Sequence, residues 1–212
     1  MHLSIQLENL GKRYLREWIF RNLSLTINPG DKYVILGSNG SGKSTLMQVI
    51  ANYQVATEGK ITYADHGKEI HPDKIYERLS IASPYLELIE EFTIVESITH
   101  QAVFKPFRNN YSVKELIEIA ELEHAKDKFI KFYSSGMKQR LKLTLAILAE
   151  CPLLLLDEPV SNLDRSAISW YKKMMEKYAS DKTVIVCSNK IEDEYEFCTK
   201  QVEVENYKLR NT

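Results

Sequence analysis

The chain has 212 residues and a formal net charge of −1 at pH 7. This length can bury the core of one domain, and a charge near zero excludes a general electrostatic affinity for nucleic acid or anionic lipid. No apolar run approaches the ~20 residues that cross a bilayer, no signal-peptide pattern is evident, and Cys151, Cys187 and Cys198 lack metal-site spacing, so the sequence predicts a cytosolic protein in a reducing compartment.

The first part of the chain is predicted to be rich in β-strands. Residues 3–7 and 23–27 alternate apolar and polar side chains, which is typical of half-buried strands, and residues 11–14 are predicted to turn the chain. Residues 28–31, Asn-Pro-Gly-Asp, predict a tight turn, because proline fixes φ and glycine accepts a positive φ. Residues 59–63 and 68–70 are predicted to pair across residues 65–67. Together these segments predict a β-subdomain around a strand at residues 32–36.

A glycine-rich segment at residues 37–45 follows that strand and precedes a helical segment at residues 46–50. Glycine, four residues and then Gly-Lys-Ser is the pattern of a phosphate-binding loop, whose backbone N–H groups and helix dipole attract phosphate oxygens. Lys43 is predicted to reach the β- and γ-phosphates, and the Ser44 hydroxyl to ligate Mg²⁺. The predicted nucleoside triphosphate site consists of Gly37, Ser38, Asn39, Gly40, Ser41, Gly42, Lys43, Ser44 and Thr45.

Helical patterns dominate residues 92–150. Thr93 with Glu96, and Ser112 with Glu115, fit the capping box, in which a hydroxyl and a carboxylate satisfy free N–H groups at a helix start. Apolar side chains at residues 137, 141, 145 and 148 predict one face of a later helix that ends near residue 150.

A continuous apolar run at residues 151–156 ends in Asp157 and Glu158. Such a run is typical of a parallel strand covered on both faces, and open α/β sheets bind ligands at the carboxyl ends of these strands. Because adjacent strand side chains point to opposite sides, Asp157 is predicted to hold Mg²⁺ and Glu158 to act as general base on the attacking water. Beyond it, the sequence predicts a helix over 165–179, a buried strand over 183–187 and an edge strand over 202–205.

In their order, these motifs resemble those of the ATP-binding-cassette (ABC) ATPases over nearly the whole chain. Residues 133–137, Tyr-Ser-Ser-Gly-Met, resemble the family signature Leu-Ser-Gly-Gly-Gln, with its first glycine and its glutamine replaced. The resemblance implies that this segment contacts the γ-phosphate of ATP held in a partner subunit, and that Tyr14 stacks on adenine. The implied signature contacts are Ser134, Ser135 and Gly136, and the implied dimer-interface D-loop is Ser161, Asn162, Leu163 and Asp164.

The chain departs from the family pattern at two places. The family has a histidine after the strand that ends at residue 187, whereas this chain has Ser188, Asn189 and Lys190. The Asn189 amide can donate a hydrogen bond to the γ-phosphate but carries no positive charge, so we expect slower hydrolysis. The family's Q-loop glutamine is expected near residues 83–85, where there is none, and Glu87 or a water is a candidate substitute.

The resemblance implies an α/β P-loop fold with a mixed sheet core, an antiparallel β-subdomain and an inserted helical subdomain at about residues 85–150. It implies a single ABC ATPase domain over residues 1–212, with ATP and Mg²⁺ as cofactors. The implied function is ATP hydrolysis that powers a transporter, most simply an exporter, through nucleotide-driven dimer closure. The implied partners are a second ABC subunit, identical or related, and separate membrane-spanning subunits that hold the chain at the inner face of the cell membrane, without nucleic acid.

Two other functions are compatible with the sequence. A soluble ABC ATPase that acts as an assembly or scaffold factor would use the same dimerisation without transport, and the two departures are consistent with it. A phosphate-loop kinase would transfer the γ-phosphate to a small molecule, but it would have no use for the segment that contains Ser134 and Gly136.

Overall fold

The structure, a computed structural model, describes residues 2–208. In chain order these residues form β1 (Leu3–Tyr14), β2 (Glu17–Ile27), β3 (Lys32–Leu36), α1 (Lys43–Ile50), β4 (Glu58–Asp65), β5 (Lys68–Ile70), β6 (Leu79–Ala82), α2 (Ile94–Phe104), α3 (Val113–Ala120), α4 (Ser135–Leu148), β7 (Leu153–Asp157), α5 (Arg165–Tyr178), β8 (Thr183–Ser188) and β9 (Lys200–Glu203). The strands belong to two sheets, one antiparallel and one parallel.

The antiparallel sheet has the strand order β2-β1-β4-β5 and contains the predicted early strands. The turn predicted at residues 11–14 is wrong. Lys12, Arg13 and Tyr14 remain in β1, where they pair with Phe20, Trp18 and Glu17, and the chain reverses at residues 15–16. Shifts in the β1–β2 register after residues 7, 10 and 12 break the apolar-polar alternation, so the strand continues where its sequence pattern stops.

The parallel sheet has the order β6-β7-β8-β3-β9, and each pairing within it is parallel. The α/β architecture with an antiparallel β-subdomain is therefore confirmed, whereas the core sheet, which was predicted to be mixed, is parallel throughout the described residues. All five residues of β7 and all six of β8 are buried, as expected for strands covered on both faces. The edge strand predicted over residues 202–205 is β9, which ends at Glu203 and continues as a 3-10 helix at Val204–Tyr207.

Both predicted capping boxes are present. The Thr93 hydroxyl accepts a hydrogen bond from the Glu96 N–H while the Glu96 carboxylate accepts one from the Thr93 N–H, and Ser112 and Glu115 do the same at α3. The helix predicted to end near residue 150 is α4, which ends at Leu148. No helix within residues 2–208 is long and apolar enough to span a bilayer.

The parallel sheet separates two apolar clusters, because successive strand side chains point to opposite faces. Leu154 of β7 and Val186 of β8 face the cluster formed by α2, α3, α4 and α5. Leu155 and Cys187 face the other cluster, which contains α1 and the antiparallel sheet. Cys151 and Cys187 are both buried, in agreement with their prediction as small core residues.

Candidate functional site

The glycine-rich loop connects β3 to α1 at the carboxyl edge of the parallel sheet. Gly42 is the N-cap of α1 and has a φ of 107°, in the left-handed region that glycine tolerates. A Cβ atom at Gly42 would lie 2.4 Å from Ile19 Cγ2, and one at Gly37 would lie 2.4 Å from Ser41 Oγ. These positions therefore require glycine because of close packing as well as backbone conformation.

The loop borders a cavity of about 370 Å³. Its lining consists of Ile19, Asn39, Gly40, Ser41, Gly42, Lys43, Ser44, Thr45, Tyr85 and Glu158. The Lys43 Nζ is buried and donates hydrogen bonds to the carbonyls of Gly37 at 3.0 Å and Ser38 at 3.1 Å. An ammonium has three donors, so one N–H remains for an anion in the cavity.

Asp157, the last residue of β7, is buried beside this cavity. Its Oδ2 accepts a hydrogen bond from the Ser83 hydroxyl at 3.4 Å, whereas its Oδ1 has no partner among the described residues. Burial raises the pKa of the Asp157 carboxyl above its ordinary value, although the nearby Ser44 and Ser83 hydroxyls oppose that rise. A buried carboxylate oxygen without a donor, next to a serine hydroxyl, fits the oxygen ligands that Mg²⁺ prefers.

Glu158 follows β7 and is oriented differently from Asp157. Its backbone N–H donates to the Cys187 carbonyl at 3.0 Å, and its side chain reaches the cavity, where Oε1 lies 4.0 Å from Lys43 Nζ. Its φ of 47° lies in the left-handed region, which is strained for a residue with a side chain. Such strain is typical of functional sites, and here it directs the carboxylate into the cavity.

The signature segment begins α4. Ser134 is the N-cap of this helix, and its hydroxyl accepts a hydrogen bond from the Met137 N–H at 3.2 Å. Ser134, Ser135 and Gly136 line a second cavity of about 400 Å³ together with Asn162 and Asp164. The packing is close, since a Cβ atom at Gly136 would lie 3.1 Å from the Asn162 carbonyl oxygen.

The remaining D-loop residues connect this second cavity to Glu158. The Ser161 N–H donates to the Glu158 carbonyl at 3.0 Å, and the Leu163 N–H donates to the Val160 carbonyl at 3.1 Å. Asp164 is the N-cap of α5 and accepts a hydrogen bond from the Ala167 N–H at 2.8 Å. The signature segment and the D-loop thus form one surface, which shares no lining residue with the cavity at the glycine-rich loop.

Seven of the predicted site residues line neither cavity, namely Tyr14, Gly37, Ser38, Asp157, Ser161, Leu163 and Asn189. Tyr14 is 42% exposed at the end of β1, where its hydroxyl donates to Gln54 Oε1 and the Lys12 ammonium lies over its ring. Asn189 is exposed just after β8. Neither residue is among those that surround the loop cavity.

Sequence reasoning missed several residues of the site. Ile19 and Tyr85 line the loop cavity, and Ser83 binds Asp157 from 74 residues away, so no local spacing marks it. Glu87, a candidate substitute for the Q-loop glutamine, lies instead with Leu86 and Leu88 in a separate groove of about 340 Å³. The Lys142 Nζ of α4 donates to the carbonyls of Ser83 and Pro84, each at 3.4 Å, so this segment contacts both Asp157 and α4.

Comparisons with known proteins agree with these motifs. The family model described as ABC transporter matches residues 20–161. The ABC transporter ATP-binding protein YybJ of Bacillus subtilis is 26% identical over 210 residues, which cover 98% of this chain and 95% of that protein. The bacitracin transport ATP-binding protein BcrA of Enterococcus faecalis is 29% identical over 199 residues, which cover 92% of this chain and 64% of that protein.

A similar fold is found in the dimeric structure of a post-hydrolysis state of the ATP-binding cassette MJ0796, bound to ADP and Pi. The TM-score is 0.80 at 23% sequence identity, and the match covers 98% of this chain and 100% of that one. The chain spans about half the length of several other curated relatives that it matches.

Proposed function

The chain belongs to the ABC transporter family of ATP-binding proteins, and on that premise we propose that it powers a transporter by binding and hydrolysing ATP between two such subunits. One observation carries the proposal. The cavity at Lys43 and the cavity at Ser134 lie in separate parts of the chain and share no lining residue. Each is half of a site, and a head-to-tail dimer would join the Lys43 half of one subunit to the Ser134 half of its partner.

In this proposal the triphosphate binds along the glycine-rich loop. The backbone N–H groups at the start of α1 face the cavity and favour anions there. Lys43 is held by two backbone carbonyls and keeps one donor for the β- and γ-phosphates. This fixed position lets the ammonium stabilise the charge that develops during transfer without reorganising. Tyr14 is proposed to stack on the adenine ring.

Ser44 and Asp157 would hold Mg²⁺. The Asp157 Oδ1, buried and without a donor among the described residues, supports this assignment. When bound, Mg²⁺ neutralises charge on the phosphate oxygens and so favours attack at phosphorus. The Ser83 hydroxyl fixes Asp157 from the opposite side through Oδ2.

Glu158 is proposed as the general base. Its carboxylate lies at the edge of the cavity, where it can accept a proton from a water that attacks the γ-phosphorus. Bond formation between the water oxygen and phosphorus accompanies cleavage of the bond to the β-phosphate oxygen, which gives ADP and phosphate. Asn189 and the partner's signature turn are proposed to donate hydrogen bonds to the γ-phosphate.

Sizing the Glu158→Gln variant by light scattering, with and without MgATP, tests the proposal. We expect a monomer without nucleotide and a dimer with MgATP, because the variant binds ATP but hydrolyses it slowly. The matched control is Glu158→Gln combined with Lys43→Ala, which should remain monomeric with MgATP. A Glu158→Gln protein that is saturated with MgATP and still monomeric would contradict self-pairing.

We also propose that the chain binds a membrane-spanning partner. The groove that contains Leu86 and Leu88 is also lined by Phe104 and Leu145, and Phe104 is 72% exposed. Polar and charged side chains, among them Lys142, also line this groove, so it suits an amphipathic helix of another protein. Affinity capture from detergent-solubilised membranes should recover a polytopic membrane protein. Recovery of soluble partners alone would favour the alternative of a soluble assembly factor.

A further inference from the structure

The segment after β9 contacts the glycine-rich loop at Ser38, which does not line the loop cavity. Strands β3 and β9 run in parallel and pair Leu36 with Glu203, so the residues two positions beyond, Ser38 and Glu205, come side by side. Glu205 Oε1 accepts hydrogen bonds from the Ser38 N–H at 3.0 Å and from the Ser38 hydroxyl at 2.6 Å. A single carboxylate oxygen therefore fixes both donors of Ser38.

The same residue connects Glu205 to Lys43. The Ser38 carbonyl accepts hydrogen bonds from Lys43 Nζ at 3.1 Å and from the Ser41 N–H at 3.0 Å. Glu205 thus binds the N–H and the hydroxyl of Ser38, and the carbonyl of the same residue binds the Lys43 ammonium. Val204 also lies near the loop, since a Cβ atom built at Gly42 would lie 3.5 Å from its Cγ1.

Glu205 does not compete with the nucleotide for the cavity. The loop residues that line the cavity begin at Asn39 and include neither Ser38 nor Glu205. Hydrogen bonds from the Ser38 hydroxyl and N–H lower the pKa of Glu205, and the nearby charges of Lys190 and Lys208 lower it slightly further. The carboxylate is therefore ionised at neutral pH, in the form that accepts the strongest hydrogen bonds.

We propose that Glu205 is a positioning residue for nucleotide binding, which fixes Ser38 so that its carbonyl holds Lys43 in place before the nucleotide arrives. A loop that is already ordered loses less conformational entropy when the phosphates bind. The contribution of Glu205 therefore belongs to nucleotide affinity, whereas the rate of the chemical step depends on Glu158. The role of Glu205 rests on the proposed binding of nucleotide at the glycine-rich loop, but it does not require that two subunits form a dimer.

Calorimetric titration with MgADP tests the role of Glu205 separately from dimer formation. We expect Glu205→Ala to weaken MgADP binding about fivefold, the effect of losing one or two exposed hydrogen bonds. Glu205→Gln keeps an amide oxygen that can accept from the Ser38 N–H, so about half of the lost binding free energy should return. In steady-state hydrolysis the KM for ATP should rise by a similar factor while kcat stays within about twofold.

Glu203→Ala is the matched control, because it removes the same charge two residues earlier and should leave MgADP affinity unchanged. Thermal unfolding without nucleotide should show that all three variants remain folded at the temperature of the titration, so that a change in MgADP affinity does not reflect a loss of folded protein. Unchanged or tighter MgADP binding by Glu205→Ala would overturn the inference. Equal losses in Glu203→Ala and Glu205→Ala would also overturn it, since the effect would then be one of net charge.

Discussion

Glu194 is a carboxyl group buried beneath the functional site. It is fully buried after β8, and both of its carboxylate oxygens lack hydrogen-bond partners among residues 2–208. Burial raises the pKa of Glu194 from 4.5 to about 7; the nearby Ser188 hydroxyl and Val160 backbone oppose this rise, and the charges of Glu158 and Asp157 add to it. The folded state therefore favours the neutral acid, which avoids a second buried negative charge near Asp157.

The raised pKa of Glu194 predicts a pH-dependent stability. Between pH 4.5 and 7 the folded chain binds more protons at Glu194 than the unfolded chain, so this group lowers the free energy of unfolding as pH rises through that range. Glu194→Gln removes the titration. The free energy of unfolding of the variant, relative to that of the unmodified protein, should therefore increase by about 2.5 kcal/mol from pH 5 to pH 8. Urea unfolding at both pH values measures the difference.

The control for Glu194 is Glu192→Gln, an exposed residue of the same 3-10 helix. Its effect on the free energy of unfolding should be small and nearly equal at the two pH values. A Glu194→Gln protein with the same relative stability at pH 5 and pH 8 would show that the Glu194 pKa is not raised.

Helix α4 illustrates how one element has a structural and a functional role at the same residue. Ser134 is its N-cap, which stabilises the helix, and in the proposed dimer it also contacts the partner's nucleotide. The two roles respond differently to substitution, since aspartate caps a helix as well as serine does but repels a phosphate.

Ser134→Asp and Ser134→Ala should therefore separate the two roles. We expect Ser134→Asp to keep its Tm and to lose ATP turnover by at least about 100-fold, because the carboxylate would face the γ-phosphate. Ser134→Ala should lose about 1 kcal/mol of stability. Ser112→Ala, which removes the N-cap of α3, should show a similar loss of stability with normal turnover. Normal turnover by Ser134→Asp would exclude the contact across the dimer.

Some structural elements could be predicted from the sequence and others could not. The capping boxes of α2 and α3, the glycine-rich loop and the acids after β7 have local patterns, so they could be predicted without knowledge of distant contacts. The turn predicted at residues 11–14 was wrong because irregular pairing with β2 extends β1 beyond its alternating pattern. Ser83 and Glu205 could not be predicted, because their partners Asp157 and Ser38 are 74 and 167 residues away and no spacing rule connects them.

At the scale of the molecule, the parallel sheet brings both halves of the proposed site to its carboxyl edge. Strands β3 and β7 end at Leu36 and Asp157, directly before the glycine-rich loop and Glu158. The D-loop follows Glu158 and contacts the start of α4, so the second cavity lies a few residues further along the same path. A single chain thus presents both halves at separate places.

Mixing two inactive variants tests this arrangement. Lys43→Ala keeps an intact signature turn, and Ser134→Asp keeps an intact glycine-rich loop. In a mixed dimer one site carries both substitutions and the other carries neither. A mixture of equal amounts should therefore regain ATP turnover, about a quarter of the normal value for random pairing, whereas each variant alone stays inactive. A mixture as inactive as its components would contradict sites shared between two subunits.

The separation of the Lys43 and Ser134 cavities has a consequence for how the activity depends on the amount of protein. If each reaction centre is assembled from two molecules, specific activity falls on dilution below the dissociation constant of the dimer. A newly made subunit that has met no counterpart would then retain its nucleotide uncleaved. Consumption of cellular ATP would begin only after assembly, without a separate inhibitor.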